Sequence, residues 1–215
     1  MDWITFFITY GILFLGELGD KTQLIVFNLA LEYKKFYKVG IGVTLGFAIL
    51  VTIGVFFGTV ITRFVPIFLI SNISGIVFII IGVLEARNLK KLYLEHKKKN
   101  NVLTEGDLSD KNLENDKKPS QKFAKIKNNP YLMGFSYIFI MELGDKTQIL
   151  TITLSSIYAF PIEVWLGSFL ALISVAWIGI LFGAFIARKV PKFYLKLIST
   201  TIFIFVGILI LITSF

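Results

Sequence analysis

The chain has 215 residues, 55% hydrophobic and 17% charged, with no cysteine and one histidine. Its mean hydropathy of +0.76 is high beside soluble domains, which are about 45–50% apolar, and the lack of cysteine excludes disulfides and thiolate metal sites. The net charge of +8 does not point to nucleic acid, because the positive residues cluster between apolar runs, where they orient a membrane protein.

A membrane span needs about 20 mainly apolar residues to cross a core of about 30 Å. Six stretches qualify, at 4–31, 39–62, 66–84, 131–158, 162–187 and 193–215. The expected fold is all-α: a polytopic membrane protein with six transmembrane helices in two inverted three-helix repeats. The first run has no positively charged start and is interrupted by Glu17 and Asp20 rather than by a cleavage site. It reads as a retained span, not as a signal peptide.

The repeat comes from self-comparison. A shift of 125 positions aligns Glu17 with Glu142 without a gap. It also pairs Gly42 with Gly167, Gly54 with Gly179, Gly58 with Gly183, Arg63 with Arg188, Pro66 with Pro191 and Gly82 with Gly207. Of the 71 pairs from Phe14 to Leu84, 28 are identical. Hydrophobicity alone would not also match glycines, a proline and an arginine. The chain divides into a first repeat (1–84), a charged linker (85–130) and a second repeat (131–215).

Three spans per copy make the second copy enter from the opposite side. Charge agrees with this. With the linker cytoplasmic, Lys34, Lys35, Lys38, Arg188, Lys189, Lys192 and Lys196 are cytoplasmic too, and the outer loops hold only Arg63. That is a positive-inside bias with both termini outside. In the linker, Leu89, Leu92 and Tyr93 fall at helical spacing and extend the third helix, while 100–121 has the composition of a disordered, solvated connector. Its lysines can also meet lipid headgroups. Glycines four residues apart (Gly42 and Gly46, Gly54 and Gly58, Gly179 and Gly183) permit close helix approach in lipid.

The informative feature is Glu-Leu-Gly-Asp-Lys-Thr-Gln, present at 17–23 and again at 142–148. Each copy lies well inside an apolar run, where an ionisable group costs at least about 2.5–3.5 kcal/mol on insertion scales. Such groups persist when they pair or bind something. In a continuous helix Glu17, Asp20 and Gln23 share one face. Gly19 alternatively marks a local unwinding, the device that builds ion sites in transporters with inverted repeats. Inversion brings both motifs to one depth, so Glu17, Asp20, Glu142 and Asp145 are candidates to surround one metal site. Thr22, Gln23, Thr147 and Gln148 are close supports.

The donor set is all oxygen, which suits Ca²⁺, Mg²⁺ or Mn²⁺, whereas Zn²⁺ and copper favour His and Cys. Four carboxylates with Lys21 and Lys146 sum to −2, which one divalent ion neutralises. When the metal leaves, buried like-charged carboxylates take up protons in its place, so exchange of metal for protons is expected. Lys21 and Lys146 stand at i, i+4 from Glu17 and Glu142, the spacing of intrahelical ion pairs. The plainer reading of the acids is a pair of salt-bridge networks that hold helices together. Asn28, Asn72, Thr151, Thr153 and Ser174 either line a pathway or bond between helices. Glu85 and Glu163, at span ends, are expected to face water.

Both motifs resemble the duplicated E-x-G-D-K/R-T/S signature of the transmembrane protein 165 family, which includes eukaryotic Golgi manganese and calcium transporters and bacterial manganese exporters. The resemblance covers the whole membrane part. It implies a secondary antiporter of Mn²⁺ or Ca²⁺ against H⁺, with Glu17, Asp20, Glu142 and Asp145 binding the cation, and not an enzyme. The metal is then cargo, and no resident cofactor is expected. The short chain resembles prokaryotic members and implies efflux across the plasma membrane. Two other readings remain open: an exporter of a small organic cation or amino acid, which needs an apolar or aromatic pocket beside the acids, and a metal-dependent intramembrane enzyme, which needs acids near a membrane face. Homo-oligomerisation is also left open.

Overall fold

The computed structural model describes residues 2–18, 20–33, 35–102, 129–189 and 192–213. Side chains are described for these except at 21, 24, 88–102, 183–189, 192–196 and 213. All regular structure among the described residues is helical: α1 (Trp3–Glu17), α2 (Lys21–Glu32), α3 (Phe36–Phe64), α4 (Ile67–Val102), α5 (Pro130–Glu142), α6 (Lys146–Ile157), α7 (Pro161–Lys189) and α8 (Lys192–Thr213).

Among the described residues, three helices are long and apolar enough to cross a membrane: Phe36–Phe64, Ile67–Arg87 and Pro161–Phe182. Trp3–Glu17 and Leu197–Ile212 are shorter apolar helices. The runs at 4–31 and 131–158 are each broken at the motif, into α1 with α2 and α5 with α6. The outer faces suit lipid, since Phe7, Ile49, Phe56, Ile76 and Ile212 are all exposed and no polar solvent is needed to cover them. The chain is a polytopic membrane protein. As the leucine spacing predicts, α4 continues past the apolar run to Val102. Most of the expected disordered connector, 103–121, lies outside the described residues.

Local chemistry explains the ends. Asp2 caps α1 by accepting from the Thr5 amide, and Asn129 caps α5, with Pro130 in the first turn. A side-chain acceptor at this position satisfies an amide that has no carbonyl partner, and proline there loses no helical bond. Hydrogen bonding to Thr5 holds the Asp2 carboxyl below its ordinary range.

The main packing crosses the repeat boundary. Along α3, Gly42 meets Tyr131 and Phe135, Gly54 meets Gln148 and Thr151, and Gly58 meets Ile152 and Ser155. So α3 runs beside α5 and then α6 in one direction. Along α7, Gly167 meets Phe6 and Tyr10, and Gly179 meets Gln23; α7 runs in the same way beside α1 and α2. The helices α4 and α8 pair antiparallel, with Gly75 against Leu211, Gly82 against Ile204 and Gly207 against Ile79. Small residues win here because lipid supplies no hydrophobic drive between helices, so backbone closeness and dispersion must hold them.

These contacts obey the same shift of 125. Gly42 with Tyr131 maps onto Gly167 with Phe6, and Gly82 with Ile204 onto Gly207 with Ile79. Phe78 and Phe203 are repeat equivalents that meet edge to face at 6.3 Å, both fully buried.

Candidate cation site

Each break is built the same way. The last residue of the first half-helix is a glutamate, Glu17 or Glu142, and the next leucine turns extended, at φ −64°, ψ 118° for Leu18 and φ −66°, ψ 110° for Leu143. The Asp20 amide then bonds the Glu17 carbonyl, as the Asp145 amide bonds that of Glu142, both at 3.1 Å. Gly144 has φ +84°, a left-handed conformation that favours glycine. Gly19 lies outside the described residues. The continuous helix that would set Glu17, Asp20 and Gln23 on one face is therefore absent, and the unwound alternative describes the chain.

The break places chemistry where a cation gains from it. A helix C-terminus carries unsatisfied carbonyls and partial negative charge, so a glutamate there meets repulsion unless a cation is near. Glu17 and Glu142, 5% and 2% exposed, both end half-helices in this way.

The motifs are crosslinked. Thr147 Oγ1 donates to Glu17 Oε1 at 2.5 Å, and Thr22 Oγ1 donates to Glu142 Oε1 at 2.6 Å. These two bonds are equivalents under the 125 shift, each joining one repeat's glutamate to the other's threonine. Two small cavities follow the same relation. One is lined by Phe47, Leu50, Val51, Glu142, Thr147, Gln148, Thr151 and Leu172. The other is lined by Leu172, Val175, Ala176, Glu17, Thr22, Gln23, Val26 and Phe47. In that order each residue is the other's partner at 125. Each cavity holds about one water-sized sphere, the scale of a single ion or water.

Among the described residues the contacts around the acids are not symmetric. Lys146 Nζ lies 2.5 Å from Asp20 Oδ2, 3.1 Å from Glu85 Oε1 and 3.6 Å from Glu17 Oε1, and it donates to the Gly16 carbonyl at 2.9 Å. So Lys146 pairs across the repeats with Glu17 instead of within its helix with Glu142. The helix is interrupted between residues 142 and 146, which removes the i, i+4 geometry. Asp145 is exposed and caps α6, accepting from the Lys146 amide at 2.8 Å. Glu142 Oε2 is buried and has no hydrogen-bond partner among the described residues. The Lys21 side chain lies outside the description. Among the described residues, no three acidic or histidine side chains stand as a group that could hold a metal; Glu17, Asp20 and Glu85 each lie against the Lys146 ammonium.

Gln23, Thr147 and Gln148 are buried with the glutamates, and Thr22 is half-buried. Thr151 lines the Glu142 cavity and bonds its own helix at Thr147. Ser174 accepts from the Tyr10 hydroxyl, joining α7 to α1.

Two acids are placed differently from expectation. Glu163 is buried and accepts the Asp2 amide at 3.2 Å, which ties the start of α7 to the start of α1. Glu85 is buried too, holding Lys146 and accepting from Ser199 Oγ at 2.5 Å. Both face protein, because a neighbouring helix covers each span end. Neither Glu85 nor Ser199 belongs to the repeated seven-residue motif: at 125 from Glu85 stands Ile210, whereas Ser199 repeats Ser74.

The family model of the divalent cation/proton antiporter GDT1 matches residues 5–91 and 130–215, on either side of the linker. The chain is similar to the GDT1-like protein sll0615 of Synechocystis sp., 29% identical over 206 residues that cover 91% of each chain. It is also similar to the GDT1-like protein C186.05c of Schizosaccharomyces pombe, 22% identical over 93% of this chain and 86% of that one. No solved structure matches it. A duplicated acidic motif in broken membrane helices, matched along both halves, makes this chain a member of the GDT1 family of divalent cation/proton antiporters.

Proposed function

We propose that the protein exports Mn²⁺, Ca²⁺ or both from the cytoplasm in exchange for protons, across a prokaryotic plasma membrane, with the linker cytoplasmic. The crossed pair of threonine–glutamate bonds, with an equivalent cavity beside each glutamate, carries this reading. Two inverted three-helix repeats account for it. If the second repeat enters from the other side, α3 must run parallel to α5–α6 and α7 parallel to α1–α2, and the glycine contacts follow that order. Alternating access then needs the two halves of the site to exchange exposure to the two sides.

Glu17, Asp20 and Glu142 are the carboxylates that take the metal, with Asp145 at the rim as the fourth. Thr22 and Thr147 orient the glutamates, and Gln23 and Gln148 add carbonyl oxygens. The half-helix carbonyl ends favour the positive ion. The four motif carboxylates against Lys21 and Lys146 sum to −2, which a divalent ion neutralises and protons replace when the metal departs. The small size of each cavity favours an ion over an amino acid, and membership of an antiporter family favours transport over enzymatic chemistry.

The test is reconstitution in liposomes with Mn²⁺ and Ca²⁺ flux followed under an imposed pH gradient. Metal flux that runs against the proton gradient, and is lost in Glu17→Gln and Glu142→Gln, is the expected result. A wild type that moves neither ion, or full flux in both variants, would sink the proposal.

A further inference from the structure

Glu85 lies outside both motifs, and the exchange described above gives it no task. Its carboxylate nevertheless joins three helices: α4 through its own backbone, α6 through Lys146 and α8 through Ser199. It is 7% exposed, and a buried carboxylate is retained only with firm partners. The duplication does not require it, since the equivalent position holds Ile210. The serine that binds it has its repeat partner, Ser74, so the acid alone breaks the symmetry.

What it faces is an ammonium in contention. Lys146 has three N–H donors and four oxygen neighbours: the Gly16 carbonyl, Asp20, Glu85 and, further off, Glu17. Three of these belong to the first motif and its half-helix end. The ammonium thus covers the oxygens that a divalent ion would take there. Two cations cannot share them, because like charges in a low-dielectric interior repel strongly. A lysine has a flexible stem and can move its charge by rotamer changes alone. Glu85 is already within its reach, and the Ser199 hydrogen bond fixes the far oxygen of that carboxylate.

We propose that Glu85, fixed by Ser199, is the positioning residue that receives the Lys146 ammonium when a divalent cation takes Glu17 and Asp20. This rests on the reading of the first motif as cation ligands. Without Glu85 the displaced ammonium has no buried counter-charge, so it stays on Asp20 and competes with the metal. Glu85 acts on the metal through Lys146 and touches no cargo itself.

The experiment is Mn²⁺ flux in proteoliposomes, separated into KM and kcat, for Glu85→Gln, Ser199→Ala, Lys146→Gln and the double variant Glu85→Gln/Lys146→Gln. Glu85→Gln raises KM about ten-fold, with most of the effect in KM, and Ser199→Ala raises it about three-fold. The decisive readout is coupling. In the Lys146→Gln background, Glu85→Gln leaves KM unchanged, because no ammonium remains to be received. An equal rise in both backgrounds means that Glu85 acts by simple attraction on the metal, and overturns the proposal. So does an unaltered KM in folded Glu85→Gln. Thermal unfolding in detergent checks folding, since Lys146→Gln leaves Glu85 buried beside Ser199 alone. If that single variant does not fold, the neutral double variant decides: KM at or below wild type supports the proposal, and KM raised as in Glu85→Gln overturns it. Wild-type flux lost in Glu17→Gln, with Glu85→Gln like wild type, rejects this inference alone. Absence of wild-type flux rejects the exchanger reading beneath it.

Discussion

The two motifs have the same seven residues, the same broken backbone and reciprocal threonine bonds, yet their acids are held differently. In the first, Glu17 and Asp20 turn to Lys146, the lysine of the second. In the second, Asp145 turns outward to cap α6, and one oxygen of Glu142 has no hydrogen-bond partner among the described residues. Identical local sequence has fixed the backbone, and the neighbours have fixed the pairing. The neighbour that differs is Glu85, where the other repeat has Ile210. The lesson is that a duplicated site can keep its frame while its charges become unequal.

The comparison can be broken most sharply at the glutamates. Glu17→Gln and Glu142→Gln should each lower metal flux by at least about 100-fold, since removing one partner of a buried charge cluster costs about 3–5 kcal/mol. Loss in only one variant would show that a single motif carries the ion. The aspartates come next. Asp20→Asn should lower flux by about ten-fold, and Asp145→Asn by about two-fold, as suits an exposed group whose charge contributes up to about 1 kcal/mol. Equal losses would mean that Asp145 turns inward during the cycle, which restores the symmetry.

The threonines test the frame itself. Thr22→Val removes the donor to Glu142 and should cost about 1–3 kcal/mol of stability, the desolvation of a buried acceptor left without its bond. Thr147→Val should cost less, because Glu17 keeps Lys146. Thermal unfolding in one detergent compares them, and the opposite ranking would contradict the described pairing.

The smallest effects concern packing. Gly42 lies so close to the Tyr131 carbonyl that an added Cβ forces backbone to shift, whereas Gly11 has open space around it. Gly42→Ala should destabilise by about 1–3 kcal/mol. Gly11→Ala should be neutral or stabilising by up to about 1 kcal/mol, since alanine loses less freedom in a helix. Similar losses for both would deny the close approach of α3 and α5.

Much was legible in the sequence. Long apolar runs must become membrane helices, because in lipid every backbone amide has to find its partner inside the segment. The gap-free repeat carried over to contacts: Gly42 with Tyr131 and Gly167 with Phe6 follow from one alignment. The glycine in each motif allowed an unwound segment, and Gly144 at φ +84° supplies one. Glu85 and Glu163 are buried rather than water-facing, because a position at a span end says nothing about which helix covers it.

The sequence by itself determined the helical class, the duplication and the oxygen-only chemistry of the motifs, and it allowed a break at each motif that the structure then chose over a continuous helix. Each rests on residues near one another in the chain, where spacing and conformational preference decide. Only the tertiary structure decided that each glutamate takes its threonine from the other repeat, that Lys146 leaves its own motif for Glu17, Asp20 and Glu85, and that Asp145 stays outside. Those pairings join residues up to 130 positions apart, and a charge in a low-dielectric interior goes to whichever partner the packing brings within reach.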